Sequence, residues 1–362
     1  MPKKKGHLYE RMCNKEIIRA VILKGSIGKK KRADVKMVLE DLDGYTEKVY
    51  ELLVSESYAP TSPTMMKIHD ASSGKEREIS IVPYFPDGIM HQLCVYAMKD
   101  VLMRGMYHWS CASIPKRGNA HAMKYVKRSL KKDPKGTKHC AKLDIRHYYP
   151  SIQPRLLIWR LARKIKDKRF LKLVYAIIDS NPSGGLAIGF YLNQWLANYF
   201  LEPLDHFICT LDGVKYYVRN MDDMVLLGPS KKKLHAAVRS IAAFLQKMHL
   251  ELKSNWQVFP VDARGIDFVG YRFYHDRTVL RRRNFLKLAR NCRRVTKREA
   301  KGMKVPFRTA AGLLSRLGQL KHCNGTVIRQ KHVDGKISIW RLKEIVRTRL
   351  NQDHSVPVVC GV

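Results

Sequence analysis

Residues 216–227 read Tyr-Tyr-Val-Arg-Asn-Met-Asp-Asp-Met-Val-Leu-Leu, with two adjacent carboxylates between two apolar, β-prone runs. This pattern predicts a β-hairpin whose tight turn carries Asp222 and Asp223. Two carboxylates held together repel each other, so one of the two pKa values rises unless a cation lies between them. Mg²⁺ takes carboxylate and phosphate oxygens, so the hairpin indicates a phosphoryl-transfer site. For the dipeptide alone, a solvated turn is the alternative.

A site that uses two metal ions needs carboxylates from separate places in the chain. Asp144 meets this requirement, because it lies near the end of the predicted strand 140–145, Cys-Ala-Lys-Leu-Asp-Ile. Taken by itself, Asp144 would more often be a helix cap or a turn residue. Together with the hairpin, it is expected to lie beside Asp222 and Asp223.

The charge of the chain is unusually positive for its length of 362 residues: 69 Lys and Arg stand against 31 Asp and Glu, a net charge of +38. The stretch from Arg277 to Arg308 holds thirteen basic residues and one acid, Glu299. Such a field attracts polyanions, and nucleic acid is the leading candidate. A membrane partner is not expected, because no apolar run approaches the ~20 residues that span a bilayer.

Eight cysteines are scattered along the chain, and none forms a C-x-x-C pair. This spacing argues against a zinc ribbon and favours reduced thiols in the cytoplasm. The Met-Pro-Lys-Lys-Lys start is not followed by an apolar signal core, so secretion is not expected either.

Periodicity gives an α+β chain in which a strand, helices, a hairpin and a further helix follow one another over residues 140–260. This order predicts a split β-α-β arrangement with an antiparallel sheet that is covered by helices on one face. Helical patterns cover 35–58, 88–106, 119–132, 154–179, 190–209 and 234–248; a hairpin is predicted at 64–83, a strand at 266–273, and a mostly helical, basic segment at 280–352.

Four motifs in this order resemble the palm of a reverse transcriptase. They are Asp144 with Tyr148-Tyr149, the loop and helix at 185–198, the pair Asp222-Asp223, and Phe268-Val269-Gly270-Tyr271, which resembles the primer grip. The resemblance implies an RNA-directed DNA polymerase with a right-hand fold: fingers, a ferredoxin-like antiparallel palm and a helical thumb. The implied ranges are a basic N-terminal arm at 1–34, fingers at 35–139, the palm at 140–275, the thumb at 276–350 and a C-terminal tail at 351–362.

Within this family, the chain is similar to the reverse transcriptases of diversity-generating retroelements, in the group II intron-like lineage. Ile188-Gly189 replaces the more usual Gln-Gly, and Gln194 stands where many members have Pro. Asn255-Trp256-Gln257-Val258 and the late segment 317–324 agree with this subtype. By this resemblance, neither a maturase extension nor an endonuclease domain is expected after the thumb. One departure is Asn220, where the family usually has an aromatic residue.

The resemblance also implies roles for individual residues. Asp144 and Asp222 would ligate two Mg²⁺ ions, for which Mn²⁺ is a possible substitute, with Asp223 assisting and the Ile145 carbonyl contributing. Lys253 is a possible proton donor. The residues implied in nucleotide binding are Lys75 and Arg77 on the triphosphate, Tyr149 under the sugar, and Ile188, Gly189 and Gln194 around the nascent base pair. The basic residues implied in backbone binding are Arg281, Arg282, Arg283, Lys287 and Arg290.

Some of these residues have simpler interpretations. Tyr149 could be a buried palm aromatic, and Lys75 and Arg77 could lie on a solvated hairpin. Because an apolar Ile188 lacks the hydrogen bonds of Gln, the resemblance implies weaker base discrimination and error-prone copying. The implied partners are a template RNA, a DNA or RNA primer, dNTPs and a small basic accessory protein, in a bacterial or phage-infected cytoplasm. A defence-associated or retron-like reverse transcriptase and an inactive RNA-binding protein on the same fold are the alternatives.

Overall fold

The structure, a computed structural model, describes residues 4–70 and 75–354. The helices are α1 Leu8–Met12, α2 Lys15–Ser26, α3 Ala33–Glu40, α4 Leu42–Val54, α5 Ile89–Met103 (preceded by a π-helical turn, Tyr84–Gly88), α6 Asn119–Lys132, α7 Tyr148–Ser151, α8 Pro154–Ala162, α9 Lys168–Asp179, α10 Tyr191–Phe200, α11 Glu202–Thr210, α12 Lys231–Lys247, α13 Val261–Arg264, α14 Arg282–Ala300, α15 Phe307–Leu320, α16 Thr326–His332 and α17 Ile339–His354. The strands are β1 Thr64–Asp70, β2 Lys75–Ile81, β3 His139–Asp144, β4 Tyr216–Asn220, β5 Asp223–Gly228, β6 Gln257–Pro260, β7 Ile266–Phe268, β8 Tyr271–Phe273 and β9 Thr278–Leu280. None of the helices in these ranges combines the length and apolar character that a bilayer crossing requires.

The chain forms two compact units. The first comprises Met1–Tyr125 and Ala141–Val258, and the second comprises Val126–Cys140 and Phe259–Val362. The predicted palm–thumb boundary at 275 stays a prediction, although residues 259–275 group with the thumb segment in this division. The candidate carboxylates all belong to the first unit.

The central sheet has four strands in the spatial order β4-β5-β3-β6, and β4 pairs antiparallel with β5. Along the chain, β3 is followed by helices, the β4–β5 hairpin, α12 and β6. Because β3 lies between the hairpin and β6, this is the split β-α-β arrangement that the sequence predicts. The predicted α+β class with a ferredoxin-like palm is confirmed.

Three helices predicted as continuous are each divided. The predicted helix 35–58 is α3 and α4, the predicted helix 154–179 is α8 and α9, and the predicted helix 190–209 is α10 and α11. At the first two breaks an Asp caps the following helix: the Asp41 side chain accepts a hydrogen bond from Gly44 N, and Asp167 accepts one from Phe170 N. A capping Asp starts a new helix although the apolar period continues, so periodicity alone misses the break.

The N-terminal segment is more structured than the basic arm predicted for 1–34. Helices α1 and α2 bury Leu8, Met12, Ile18 and Ile22 in the core of the first unit. The sequence predicts a flexible arm or a short helix for residues 1–34, and the structure has helices at 8–12 and 15–26, with basic side chains on the outer face of α2 and apolar side chains on its inner face.

Helix α5 carries a buried histidine with a measurable consequence for stability. The His91 ring is 2% exposed and packs against Phe190 with ring centroids 4.7 Å apart. Burial lowers the pKa of His91 to about 4. A lowered histidine pKa means that the unfolded state binds the proton more tightly, so stability is lost as the pH falls from about 6.5 towards 4.

We therefore expect His91→Leu to weaken the pH dependence of unfolding. Thermal melts of the wild-type protein between pH 7 and pH 4 should show that the free energy of unfolding falls by an amount on the order of a few kcal/mol. The variant should lack this fall. Equal slopes for the two proteins would show that folding does not lower the pKa of His91.

Candidate active site

The hairpin β4–β5 turns through only two residues. Asn220 pairs with Asp223 across the ladder, so Met221 and Asp222 form the turn. The predicted hairpin is present, but Asp223, which was also predicted in the turn, is the first residue of β5. Met221 has a φ of 59°, in the left-handed region that favours glycine. Tight hairpins need a positive φ at the first central residue, so the strain at Met221 is the cost of presenting Asp222 at the tip.

The hairpin brings Asp222 into electrostatic contact with Asp144, at the end of β3. Burial raises the pKa of Asp222, and the charge of Asp144 raises it further. The positive charges of Lys253 and Arg77 oppose this shift in the Asp222 pKa. Two carboxylates from separate chain segments therefore face one another, as the sequence predicts for Asp144 and Asp222.

Two lysines neutralise the neighbouring carboxylates. The Lys253 ammonium contacts Asp144 Oδ1, and Lys142 pairs with Asp223. Lys142 and Asp144 are two residues apart on β3, so both side chains project from the same face of the sheet. Asp223 consequently lies on the same face of the sheet as Asp144. Its pairing with Lys142 distinguishes Asp223 from Asp222.

The ability of this site to hold a divalent cation depends on two carboxylates, those of Asp144 and Asp222. In the described ranges, no three His, Cys, Asp or Glu side chains are grouped as a metal site. Ile145 and Leu252 form an antiparallel bridge. On either side of it, Lys253 N donates to Asp144 O, and Arg146 N donates to Glu251 O. The Ile145 carbonyl does not bond to this partner strand. The carboxylates of Asp144 and Asp222 are oxygen donors of the kind that Mg²⁺ or Mn²⁺ prefers.

The loop at 185–190 approaches the fingers hairpin through main-chain groups. Ser80 N on β2 donates to Ile188 O at 2.7 Å. Gly189 has a φ of 121°, and a Cβ there would lie 2.3 Å from Ser80 O. Glycine is therefore required at 189 for this close approach, and Ile188 is held beside β2.

Three further predicted nucleotide-binding residues lie around this loop. The Tyr149 hydroxyl donates to Met221 Sδ at 3.6 Å, and burial followed by the charge of Asp222 raises the pKa of Tyr149. The Arg77 side chain is exposed on β2, within electrostatic range of Asp222. Gln194 lies half-buried on α10. The side chain of the fourth, Lys75, lies outside the described part of the structure.

A fully buried ion pair lies behind the hairpin, and the sequence pattern did not identify it. Arg219 Nε and Nη2 donate to Asp205 on α11 at 2.7 and 2.6 Å. Both side chains are 0% exposed. A charged residue in the otherwise apolar run of β4 was the available signal, but its partner is fourteen residues earlier in another element.

Asn220 also has a defined partner. Its Nδ2 donates to Asn119 Oδ1 at 2.8 Å, at the first residue of α6. An aromatic side chain could not make this amide–amide bond. Asn220 therefore links the end of β4 to the start of a basic helix.

In the second unit, the predicted primer grip is a hairpin between β7 and β8. Val269 and Gly270 form its turn with φ values of 43° and 91°, the signature of a type I′ turn. Phe268 and Tyr271 are buried, and the Tyr271 hydroxyl donates to Gln319 O. Only the turn is left for contact with a nucleic acid.

The predicted backbone-binding residues differ in their surroundings. Arg281 is paired with Asp267, its Nε lying 2.6 Å from Oδ1. Helix α14 buries Leu288, Cys292 and Val295, spaced for one apolar face. Of the other predicted residues, Arg282, Arg283 and Arg290 are exposed, and Lys287 is half-buried.

A family model for reverse transcriptases, described as RNA-dependent DNA polymerases, matches residues 68–273, more than half of the chain. The chain belongs to the reverse transcriptase family. This confirms the family inferred from the ordered motifs. The match contains Asp144, Asp222, Asp223 and the loop at 185–190.

The family relatives include proteins of different length. The chain is 25% identical over 243 residues to the group II intron-encoded protein LtrA of Lactococcus lactis subsp. cremoris. The aligned residues cover 62% of this chain and 38% of LtrA. It is 26% identical over 167 residues to protein YkfC of Escherichia coli K12, covering 43% of each. A telomerase of Candida tropicalis with a telomeric RNA fragment aligns at a TM-score of 0.48 and 11% identity, over 87% of this chain and 66% of that one. The chain spans less than half the length of LtrA and of YkfC.

Proposed function

We propose that this reverse transcriptase copies a template RNA into DNA by two-metal nucleotidyl transfer. The observation that carries the proposal is the position of Asp222, in the turn that leads into β5, beside the neighbouring strand β3, whose last residue is Asp144, within electrostatic range of that carboxylate and in a chain of this family. Mutual repulsion and burial make this pair a strong site for hard cations.

Asp144, Asp222 and the Ile145 carbonyl would hold two Mg²⁺ ions, or Mn²⁺ in their place. Bound there, such ions activate the primer hydroxyl and stabilise the leaving pyrophosphate. Asp223 keeps Lys142 beside the metal ligands, where the ammonium limits the net negative charge. Lys253 Nζ, in contact with Asp144, would be the group that gives a proton to the pyrophosphate oxygen.

The incoming dNTP would lie between the fingers hairpin and the loop at 185–190. Lys75 and Arg77 would bind its triphosphate, since a guanidinium pairs with phosphate through two parallel hydrogen bonds. Tyr149, held against Met221, would lie under the sugar and exclude a 2′-hydroxyl. Ile188, Gly189 and Gln194 would line the nascent base pair.

The setting that the residues favour is a diversity-generating retroelement of bacteria or phages. Ile188 offers the template base an apolar contact and no hydrogen bond, which lowers the free-energy difference between correct and incorrect pairs. The partners would be a template RNA, a DNA or RNA primer and a small basic accessory protein.

Sequencing of the DNA product tests this proposal. We expect the purified protein to extend a primer on a defined RNA, with misincorporation concentrated opposite template adenines. Ile188→Gln should reduce those errors. Accurate copying at adenines would favour a retron-like or defence setting, and a protein that binds RNA without extending a primer would favour a binding function.

The basic face of α14 should bind the template–primer backbone. Replacing Arg282, Arg283 and Arg290 with Gln should weaken duplex binding for every sequence and reduce the slope of log K against log salt by about 2 to 3. Fluorescence anisotropy across a salt series measures this slope. The matched control replaces Lys29, Lys30 and Lys31, between α2 and α3, with Gln; an equal change of slope there would show that only total charge matters.

A further inference from the structure

The guanidinium of Arg219 is satisfied at every donor. Beyond its two bonds to Asp205, Nη1 donates to Asn198 Oδ1 at 3.2 Å and to Met221 O at 2.9 Å, and Nη2 donates to Asn198 O at 3.3 Å. An arginine has five N–H donors, and all five are used here. No lysine could reproduce this planar set of contacts.

One of these bonds reaches the strained turn. Met221 O is the carbonyl of the peptide that joins Met221 to Asp222, and Met221 has a φ of 59°. A residue in this region persists only when its surroundings hold it there. Arg219 therefore fixes the orientation of the peptide unit from which the Asp222 carboxylate projects.

The partners of Arg219 are fixed in turn by β4 and by the segment 110–112. The Tyr217 hydroxyl donates to Asp205 Oδ1 at 2.7 Å, and Ser110 Oγ donates to Asn198 Oδ1 at 3.2 Å. Asn198 Nδ2 donates to Ala112 O at 2.8 Å. The network thus joins α10, α11, β4 and the segment 110–112, and buries its charges completely.

Stability alone does not explain a buried pair of this kind. Replacing buried ion pairs with apolar residues of similar volume is often neutral or stabilising, so such a pair contributes little net stability. Its measurable effect is geometric, since a fully bonded network permits one arrangement of its members.

We propose that Arg219 is a positioning residue that fixes the Met221–Asp222 peptide unit and thereby sets the affinity of the Asp144–Asp222 pair for divalent cations. The inference rests on the proposed function, because that function assigns the cations to these two carboxylates. Partners that orient metal ligands typically change metal affinity by about 10- to 100-fold when removed. A weakening of that size is the expected effect.

The test is a Mn²⁺ titration followed by electron paramagnetic resonance, which needs no turnover. The double variant Arg219→Met/Asp205→Leu leaves no buried charge unpaired. Circular dichroism and an RNA-binding assay check that it folds. We expect its Mn²⁺ dissociation constant to rise about 10- to 100-fold. If the double variant does not fold, Arg219→Lys decides, because it keeps the charge beside Asp205 but not the planar fork.

The matched control is Lys164→Met/Glu202→Leu, which removes another ion pair of the first unit, with N–O distances of 2.7 Å. Wild-type Mn²⁺ affinity is expected there. A folded Arg219 variant with wild-type affinity, or a wild-type protein that binds no Mn²⁺, would overturn the proposal. If the Arg219 variant loses Mn²⁺ but the wild-type protein extends no primer, the positioning role stands and the proposed function fails.

Discussion

Asp222→Asn should abolish DNA synthesis on an RNA template while leaving RNA binding intact. The substitution keeps the size of the side chain and removes the charge that a divalent cation needs. A lost metal ligand removes several kcal/mol of transition-state stabilisation, which corresponds to a loss of about a thousandfold in rate. RNA binding should persist, because the basic face of α14 belongs to the other compact unit.

Single-turnover primer extension and a parallel RNA-binding assay measure the two effects. The matched control is Asp212→Asn, which removes one carboxylate whose side chain is 82% exposed and paired with Lys233. Asp212→Asn should extend primers at the wild-type rate. Primer extension by Asp222→Asn at more than a few per cent of that rate would contradict the assignment of Asp222.

Gly189→Ala should sharply reduce the use of dNTPs. The added Cβ would lie 2.3 Å from Ser80 O, and the φ of 121° disfavours any side chain. The loop must therefore move away from β2, and Ile188 moves with it. A displacement of about 1 Å near reacting groups can lower a rate by about 100-fold, so kcat/KM for dNTPs should fall about 10- to 100-fold.

Gly184→Ala is the matched control in the same loop. Gly184 also has a positive φ, 68°, but a Cβ there meets no atom within 4 Å. It should therefore carry the backbone strain without the clash, and retain most of the activity. Equal losses in steady-state kinetics for the two variants would show that loop strain, and not the contact with Ser80, controls dNTP use.

Local patterns were sufficient to predict most elements of the fold. The hairpin at 216–227 and helix α6 follow directly from alternation and helical period, because each pattern is complete within its own segment. The divisions at Asp41 and Asp167 were missed, since one capping hydrogen bond interrupts a helix without changing its apolar pattern. The bounds of α1 and α2 could not be predicted, because basic residues dominate the composition of this segment and obscure its apolar pattern.

The site was predictable where a residue type and a turn define it. Asp144 and Asp222 could be identified because a two-metal site needs carboxylates from separate segments, and each of these two lies at the end of a predicted strand or in its turn. The Arg219–Asp205 pair and the Lys142–Asp223 pair could not, because each joins side chains from different elements. Asn220 looked anomalous in the sequence, and its bond to Asn119 is visible only once α6 is placed beside β4.

Addition of single nucleotides tests the central claim most directly. The wild-type protein is given a DNA primer on an RNA template, one dNTP at a time, with Mg²⁺ or with a chelator. We predict that the complementary dNTP is added in Mg²⁺, that no addition occurs with the chelator, and that Mn²⁺ restores it. If the protein binds this RNA–DNA duplex but adds no nucleotide in either metal, the assignment of RNA-directed DNA synthesis to Asp144 and Asp222 is contradicted.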